Sequence, residues 1–171
     1  YSLDAGAAMY KADAALETKK WMAEGFDKRT KQELAQMLKH ADMRVRLRAQ
    51  LELTHRAEGF AVLENAIKSN DEIERLHGIW GMGIIARRGI IARPSSDGFA
   101  SLPNMGKVKA ASEILIGLLS SKDAEVRAQS LKMLADVPKL AMANIPLLVL
   151  LTDESARVKF FALNFLAAQK V

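Results

Sequence analysis

The stretch that decides the fold of this chain runs Leu119-Ser-Ser-Lys-Asp123-Ala-Glu-Val126-Arg127. An apolar residue comes first, an acid follows four residues later, a branched apolar residue seven residues later and a cation eight residues later. Positions in the repeat are numbered below as the number of residues after this first one. An Asp ahead of a helix accepts a hydrogen bond from a free backbone N–H of the first turn, and its charge suits the positive end of the helix. We therefore interpret the stretch as a turn between two antiparallel helices, followed by the second helix.

The pattern occurs four times, in copies that begin at Leu38, Ile67, Leu119 and Leu151. The acid or cap positions are Asp42, Asp71, Asp123 and, in the fourth copy, Ser155 with Asp153 just ahead of it. The cations at position eight are Arg46, Arg75, Arg127 and Lys159. A small residue at position eleven and a large apolar one at fifteen share a helical face, which predicts close helix contact and a core. The large residues are Leu53, Met82, Leu134 and Leu166.

These repeats resemble the HEAT-repeat family over residues 29–171. The residues that carry the resemblance are Asp42–Arg46, Asp71–Arg75, Asp123–Arg127 and Arg157-Val158-Lys159. The resemblance implies an all-α fold, an α-α superhelix (a HEAT/armadillo-like solenoid) of about four helical hairpins, in which the Asp and Arg positions are linked along the stack. The second copy departs from the pattern, because Glu74 stands where an apolar residue is expected.

Four segments are also similar to one particular setting of such repeats. They are Glu24–Arg29, Asp42–Gln50, Arg75–Gly83 and Arg157–Phe161. The setting is the HEAT segment of large bacterial exported dehydrogenase-like proteins, in which a β-propeller precedes the repeats and a cytochrome c domain follows. This resemblance implies that the chain is a fragment of such a protein and has a periplasmic or exported location. Neither the propeller nor a haem-attachment motif is present in this sequence.

Composition limits the chemistry that the chain can carry. Its 171 residues include no cysteine, which excludes disulfides, zinc–thiolate sites and Cys-x-x-Cys-His haem attachment. The formal charge of +5 is spread along the chain, as on a solvated surface, and permits weak binding to acidic partners or nucleic acid. The longest apolar run, 145–151, contains Pro146 and is far too short to span a membrane. The chain begins at Tyr1, and we interpret it as a piece of something longer.

The first 28 residues are predicted to form an N-terminal linker or capping helix. Gly25 can end this helix, and Trp21 and Phe26 are expected to cover the open end of the solenoid. Thr30 and Glu33 have the spacing of a capping box at the start of the next helix. At the other end, Phe160, Phe161 and Phe165 indicate apolar area for a following repeat or domain.

Residues 89–106 form a turn-rich insertion of about 20 residues between the second and third copies. Cations cluster in and around it, against Asp97 alone, and make it a candidate partner-binding site. These cations are Arg87, Arg88, Arg93, Lys107 and Lys109. The favoured interpretation is a connection that only reaches past one repeat, and the partner-binding site is the alternative, placed here if this segment has a contact site of its own.

Residue patterns typical of catalysis are weak throughout the chain. Gly81-Met-Gly83-Ile-Ile-Ala86 has the spacing of a dinucleotide fingerprint, but a helical pattern precedes it where a strand is required, so packing glycines are favoured. His40, His55 and His77 lie in different helical segments without ligand spacing. We therefore expect no catalytic, cofactor-binding or metal-binding residues, and we expect both tryptophans at packing positions.

Three functions remain open at this level. The favoured one is a non-catalytic scaffold or protein-interaction module that binds a protein or orients flanking domains of the same polypeptide. The alternative is a nucleic-acid-binding protein with a cation- and aromatic-lined groove, like that of HEAT-like DNA glycosylases. In the third, a larger parent oxidoreductase performs the reaction and this segment only positions its domains.

Overall fold

The computed structural model describes residues 5–88, 105–137 and 145–169, with side chains from residue 15 onward. Nine α-helices and one short 3₁₀ helix make up these ranges. In chain order they are α1 (Ala5–Glu24), α2 (Lys31–Met37), α3 (Met43–His55), α4 (Gly59–Ile67), α5 (Glu72–Arg88), α6 (Met105–Gly117), the 3₁₀ helix (Leu118–Ser120), α7 (Ala124–Ala135), α8 (Leu147–Leu151) and α9 (Ala156–Gln169).

The helices form two layers of a helical superhelix. α2 pairs with α3, α4 with α5, α6 with α7 and α8 with α9, and the sequence pattern covers the turn and the second helix of each pair. The second helices, α3, α5, α7 and α9, pack side by side in that order. The predicted all-α superhelical fold is confirmed. No described helix is both long and apolar enough to cross a membrane.

Local sequence fixes where these helices begin and end. Gly25 follows α1 with φ +78°, a left-handed conformation that side chains with a Cβ rarely adopt. Thr30 and Glu33 form the predicted capping box: the Glu33 amide donates to the Thr30 hydroxyl (3.2 Å), and the Thr30 amide donates to the Glu33 carboxylate (2.7 Å). The two signals produce the sharp turn between α1 and α2.

The turn after α1 is fastened to the first repeat by arginines. Phe26 is buried, and Trp21 packs half-buried against the core, with the Arg29 guanidinium 5.4 Å from its ring centre. Arg56 donates hydrogen bonds to the carbonyls of Phe26 (2.9 Å) and Asp27 (2.7 Å). Trp21 and Phe26 therefore pack against the first repeat, and Arg56 holds the turn that carries Phe26 in place.

The small residues at position eleven are buried in all four copies, and at Gly78 the helix contact is close. Gly78 shows how tight such a contact is, because a Cβ there would lie 2.7 Å from the backbone nitrogen of Ile67 and 2.9 Å from the Leu63 carbonyl oxygen. Neither backbone atom can move aside as a flexible side chain could. The glycine thus lets α5 lie directly against α4, as the repeat pattern predicted.

Two details of the sequence-based prediction were wrong. In the fourth copy the buried aromatic is Phe165, and Leu166 is only half-buried, because the apolar stripe of α9 follows Val158, Ala162 and Phe165. The predicted insertion 89–106 is also too long at its end, since α6 already includes Met105 and Gly106. Asn104, a residue type that favours helix starts, directly precedes Met105 in the sequence.

Candidate functional site

Each turn between paired helices is closed by a side chain two residues after the start of the copy. This side chain accepts a hydrogen bond from the backbone N–H two residues further on. The acceptor atoms are His40 Nδ1 (3.0 Å), Ser69 Oγ (3.1 Å), Ser121 Oγ (3.2 Å) and Asp153 Oδ1 (2.9 Å). Sequence reasoning missed this position, although a polar residue precedes every cap at the same spacing and could have identified it.

The capping residues then hold the start of each second helix. Asp42 accepts from the Arg44 amide (2.8 Å), Asp71 from the Glu74 amide (2.9 Å) and Asp123 from the Glu125 amide (2.9 Å). In the fourth copy the Ser155 hydroxyl accepts from the Val158 amide (3.4 Å). These contacts satisfy backbone donors that the first turn of a helix cannot satisfy itself.

The arginine at position eight is anchored to the turn before it. Its guanidinium donates to the carbonyl six residues earlier, at 2.6 Å for Arg46, 2.9 Å for Arg75 and 2.8 Å for Arg127. Those carbonyls follow the end of a first helix, where a positive charge is favourable. Each arginine is therefore held in place before it contacts the next repeat.

The junction between the third and fourth repeats is a two-pronged ion pair. Arg127 donates from Nε and Nη2 to the two carboxylate oxygens of Asp153, at 2.8 and 2.9 Å. Only 17% of the arginine side chain and 8% of the aspartate side chain are exposed. The hydrogen bond from Arg127 lowers the pKa of Asp153, and the same contact raises the pKa of Arg127. Both groups remain charged over the whole neutral range.

The junction between the second and third repeats uses the same positions more loosely. Arg75 Nη2 lies 3.2 Å from one carboxylate oxygen of Asp123, whose side chain is 43% exposed. The pair is therefore single-pronged and largely hydrated. A second contact supports this junction, in which the Trp80 indole N–H donates to Gln129 Oε1 (2.8 Å).

The first junction differs from the expected Asp–Arg link, because Arg46 contacts His77 and not Asp71. Arg46 Nε donates to His77 Nε2 (3.1 Å), and His77 Nδ1 lies 2.6 Å from Gln50 Oε1. Since an arginine N–H can only donate, Nε2 must be the acceptor, and the imidazole proton is on Nδ1. Burial, together with the charge of Arg46, lowers the pKa of His77 to about 4. The histidine is thus neutral at pH 7.

The polar contacts of Glu74 explain why an acid stands at position seven of the second copy. Its carboxylate accepts a hydrogen bond from the Ser69 hydroxyl and lies 3.0 Å from Lys39 Nζ of the preceding repeat. The side chain is mostly covered, with 13% exposed. The acid at position seven therefore joins the first two repeats at a place where the other copies bury a valine.

A groove of about 300 Å³ opens on the layer of second helices, over α5 and between α3 and α7. Met43 and Leu47 form its α3 side and are both exposed. The remaining lining residues are Gln50, His77, Trp80, Gly83, Ile84, Arg87, Met133 and Asp136. The groove is chiefly apolar, and its charged residues Arg87 and Asp136 pair with each other at 3.3 Å.

The cations predicted to bind a partner do not converge on one surface. Arg87 lies at the groove. Arg88 donates to the Thr54 carbonyl and to His55 Nε2 (2.8 Å), and Lys107 donates to the Ala57 carbonyl (2.6 Å). These two cations therefore meet the carbonyl end of α3, where positive charge is favourable. Lys109 pairs with Glu113 on the exposed side of α6, at 3.7 Å, and Arg93 lies outside the described residues.

The remaining sequence candidates also have structural partners. A Cβ at Gly81 would lie 2.5 Å from the Leu63 side chain, and one at Gly83 would lie 2.6 Å from Met133 Sδ, so these glycines let α5 lie close to α4 and to α7 respectively. Trp80 packs edge-on against His77 with ring centres 4.9 Å apart. No three His, Asp or Glu side chains come together as a metal site in the part of the chain that the structure describes.

Comparison with protein-family models gives no match, and comparison with curated proteins gives none either. Among solved structures, the chain is similar to the crystal structure of an engineered protein from the Northeast Structural Genomics Consortium, with 23% sequence identity and a TM-score of 0.47. The match covers 80% of this chain and 61% of the engineered one.

Proposed function

We propose that this chain is a non-catalytic scaffold of the HEAT-repeat type, which holds other domains or a bound protein in a fixed arrangement. The observation that carries the proposal is the use of the charged repeat residues. Arg46, Arg75 and Arg127 each bind the turn before them and the repeat after them. Side chains committed to joining repeats are suited to fixing a shape.

A scaffold needs resistance to bending between its units. In a solenoid each repeat contacts only its neighbours, so the stiffness of the whole depends on each junction. Here every junction combines packed second helices with at least one polar contact that is anchored at both ends, such as the pair Arg127–Asp153. Such junctions suit a spacer whose two ends keep a constant distance and orientation.

The groove over α5 is the surface on which we propose that a partner binds. Its wall at Met43 and Leu47 is apolar and exposed, and the Trp80 ring lies at its base. Its charged residues are already paired, so a partner contributes an apolar side chain here and not a charged one. Large exposed apolar side chains beside a formed pocket are typical of protein contact sites.

We further propose that the scaffold belongs to a larger exported dehydrogenase-like protein and positions its propeller and cytochrome domains. The support is the similarity of the four segments named above. Two of them include junction residues, since Asp42–Gln50 contains Arg46 and Arg75–Gly83 contains His77. In this proposal electron transfer occurs in the neighbouring domains, and the present chain sets the distance between them.

The first test is to read the coding sequence on both sides of residues 1–171. Propeller-like repeats upstream and Cys-x-x-Cys-His downstream are the expected result. A start codon directly before Tyr1 together with a stop codon after Val171 would contradict the multidomain proposal.

The second test compares amide hydrogen exchange in residues 1–171 alone and in the complete gene product. If a neighbouring domain binds the groove, the amides of α3 and of Ile84 exchange more slowly in the complete protein. Leu47→Arg in the groove should remove this protection, whereas Lys68→Ala, on the exposed end of α4, should not. Identical exchange in both proteins would contradict a scaffold that uses the groove.

A titration with duplex DNA distinguishes the nucleic-acid alternative. We expect no binding at low salt, because Arg87 is paired with Asp136 and the Trp80 indole N–H is bonded to Gln129. Binding whose affinity falls steeply with rising salt would instead favour a nucleic-acid function, since phosphate contacts release counterions.

A further inference from the structure

Contacts between repeats use one set of positions on the earlier repeat and another on the later one. On the earlier repeat the contacts come from position eight, from twelve (Gln50 to His77), from thirteen (Trp80 to Gln129) and from sixteen (Gly83 against Met133). We call these the forward positions. The later repeat receives the contacts at its turn and at positions ten and fourteen. At all three described junctions the arginine at position eight contacts the later repeat, at position ten in the first junction and at the turn in the second and third.

Position twelve is the forward position that is covered in each of the first three repeats. At position twelve, Gln50 is 2% exposed, and Ile79 and Leu131 have no exposed surface. In the fourth repeat the same position is Leu163, which is 58% exposed. On the receiving side of that repeat the side chains are covered as in the other repeats: Phe165 at position fourteen is fully buried. The fourth repeat is thus joined on its receiving side and uncovered on its forward side.

The uncovered side of α9 has the chemical character of a repeat junction. Phe160 lies three residues before Leu163, on the same side of the helix, and is also 58% exposed. Lys159 stands at position eight, where the preceding copies place the arginine that contacts the next repeat. No described carboxylate lies within salt-bridge distance of its ammonium group, although its charge is the smallest of the causes that lower the pKa of Asp153 in the turn before it. A cation beside two large apolar residues repeats the composition of the second repeat, which has Arg75, Leu76 and Ile79 at the same positions.

We propose that this face of α9 binds a further helical hairpin of the same larger polypeptide, and that a carboxylate in the turn of that hairpin pairs with Lys159. The proposal rests on the proposed function, in which the chain is part of a multidomain protein. The position of the carboxylate follows from Asp123 and Asp153, which are turn residues and accept the ion pairs of the second and third junctions. The apolar side of the hairpin covers Phe160 and Leu163.

Charge disfavours a second copy of this chain as the occupant. Helix α9 contains no acid and Arg157 already pairs with Glu125, so two α9 faces in contact bring two Lys159 side chains together with no carboxylate of α9 to pair with them. A head-to-tail arrangement is also disfavoured, because Trp21 and the buried Phe26 already lie over the first repeat. Complementarity therefore requires an acid-bearing hairpin.

Residues 1–171 contain no cysteine, so a thiol introduced there can be followed at the peptide that carries it, in the isolated chain and in the complete gene product. The variant Leu163→Cys places a single thiol on the uncovered face, and Ala167→Cys places one at position sixteen with little change in volume. Lys68→Cys on α4 serves as the control. The rate of reaction with a maleimide is measured in residues 1–171 and in the complete gene product. We expect both α9 thiols to react at least roughly tenfold more slowly in the complete protein, while the control thiol is unchanged.

A second variant tests the ion pair. Adding Lys159→Glu to Ala167→Cys should restore fast labelling in the complete protein, because a like charge then faces the hairpin carboxylate, whereas Lys159→Arg should preserve protection. Equal labelling of both α9 thiols in the isolated and complete proteins overturns the proposal. Sedimentation of residues 1–171 as a dimer that Leu163→Arg dissociates overturns it in favour of a second copy. Failure of the proposed function is detected separately, by the coding sequence and by exchange at the groove.

Discussion

At the first and third junctions the arginine at position eight contacts partners that differ in charge. Arg127 meets the ionised carboxylate of Asp153 with two hydrogen bonds, whereas Arg46 meets the neutral imidazole of His77 with one. Both arginines are fixed in the same way to the carbonyl six residues earlier. The comparison teaches that the repeat specifies the donor, and that the facing residue of the next repeat decides how strong the junction is and how it responds to pH.

The largest expected effect is at the third junction. Arg127→Ala removes both hydrogen bonds and leaves the mostly covered carboxylate of Asp153 without its partner. We expect the free energy of unfolding to fall by about 2–3 kcal/mol, as for other charged hydrogen bonds that lose one partner. Urea denaturation followed by circular dichroism measures the change. Arg157→Ala is the matched control, because Arg157 is 59% exposed and pairs with Glu125 at 3.3 Å, and we expect a change below about 0.5 kcal/mol.

A double-mutant cycle sharpens this prediction. If the ion pair is the source of the effect, Arg127→Ala lowers the free energy of unfolding much less in a protein that already carries Asp153→Asn than in the parent chain. Equal costs in both backgrounds would show that Arg127 acts only through the carbonyls of its own turn, Ser121 and Lys122, and that the third junction is not stronger than the first.

The first junction should fail in acid before the third does. His77 has its pKa lowered from 6.5 to about 4 in the folded protein, so the unfolded chain binds more protons between those values. The stability that His77 contributes is complete above pH 6.5 and is lost as pH falls through about 4. We expect a loss of about 2 kcal/mol in the free energy of unfolding, after allowing for solvent screening. The lowered pKa of Asp153 keeps the third junction intact until lower pH, since that carboxyl ordinarily titrates near 3.8.

His77→Gln isolates the histidine from the other groups that titrate in the same range. Glutamine can still hydrogen-bond to Arg46 but carries no titratable proton. The slope of the unfolding free energy between pH 6.5 and 4 should therefore be shallower in this variant than in the parent chain. Parallel curves for the two proteins would assign the acid sensitivity to other groups.

The repeat pattern was sufficient to predict the fold and the helix caps, because both depend on neighbours within one copy. Asp42 and Asp123 bond amides two residues ahead, and that distance is visible in the sequence. The partners across a junction were less predictable. Nothing in the spacing of one copy specifies that Arg46 faces His77, since this depends on how far α5 is shifted along α3.

The groove and the uncovered face of α9 illustrate the same limit. Leu47 and Leu163 look like ordinary core residues of an amphipathic helix, and only the arrangement of the four helix pairs leaves them exposed. The predicted basic cluster shows the opposite case. Arg88 and Lys107 look like surface cations in the sequence, yet they bond to the carbonyls of Thr54 and Ala57 at the end of α3.

The smallest expected effect is at the second junction, and it separates capping from ion pairing. Asp123→Asn keeps an oxygen that can accept the Glu125 amide and removes only the charge that faces Arg75. The pair is single-pronged, and the Asp123 side chain is 43% exposed, so we expect a loss of about 0.5 kcal/mol in the free energy of unfolding, decreasing further in high salt. Asp123→Ala should cost about 1 kcal/mol more, because it also removes the cap. If Asp123→Asn and Asp153→Asn proved equally costly, the graded strength of the junctions would be wrong, and the shared anchoring of each arginine to its own turn would be the dominant contribution.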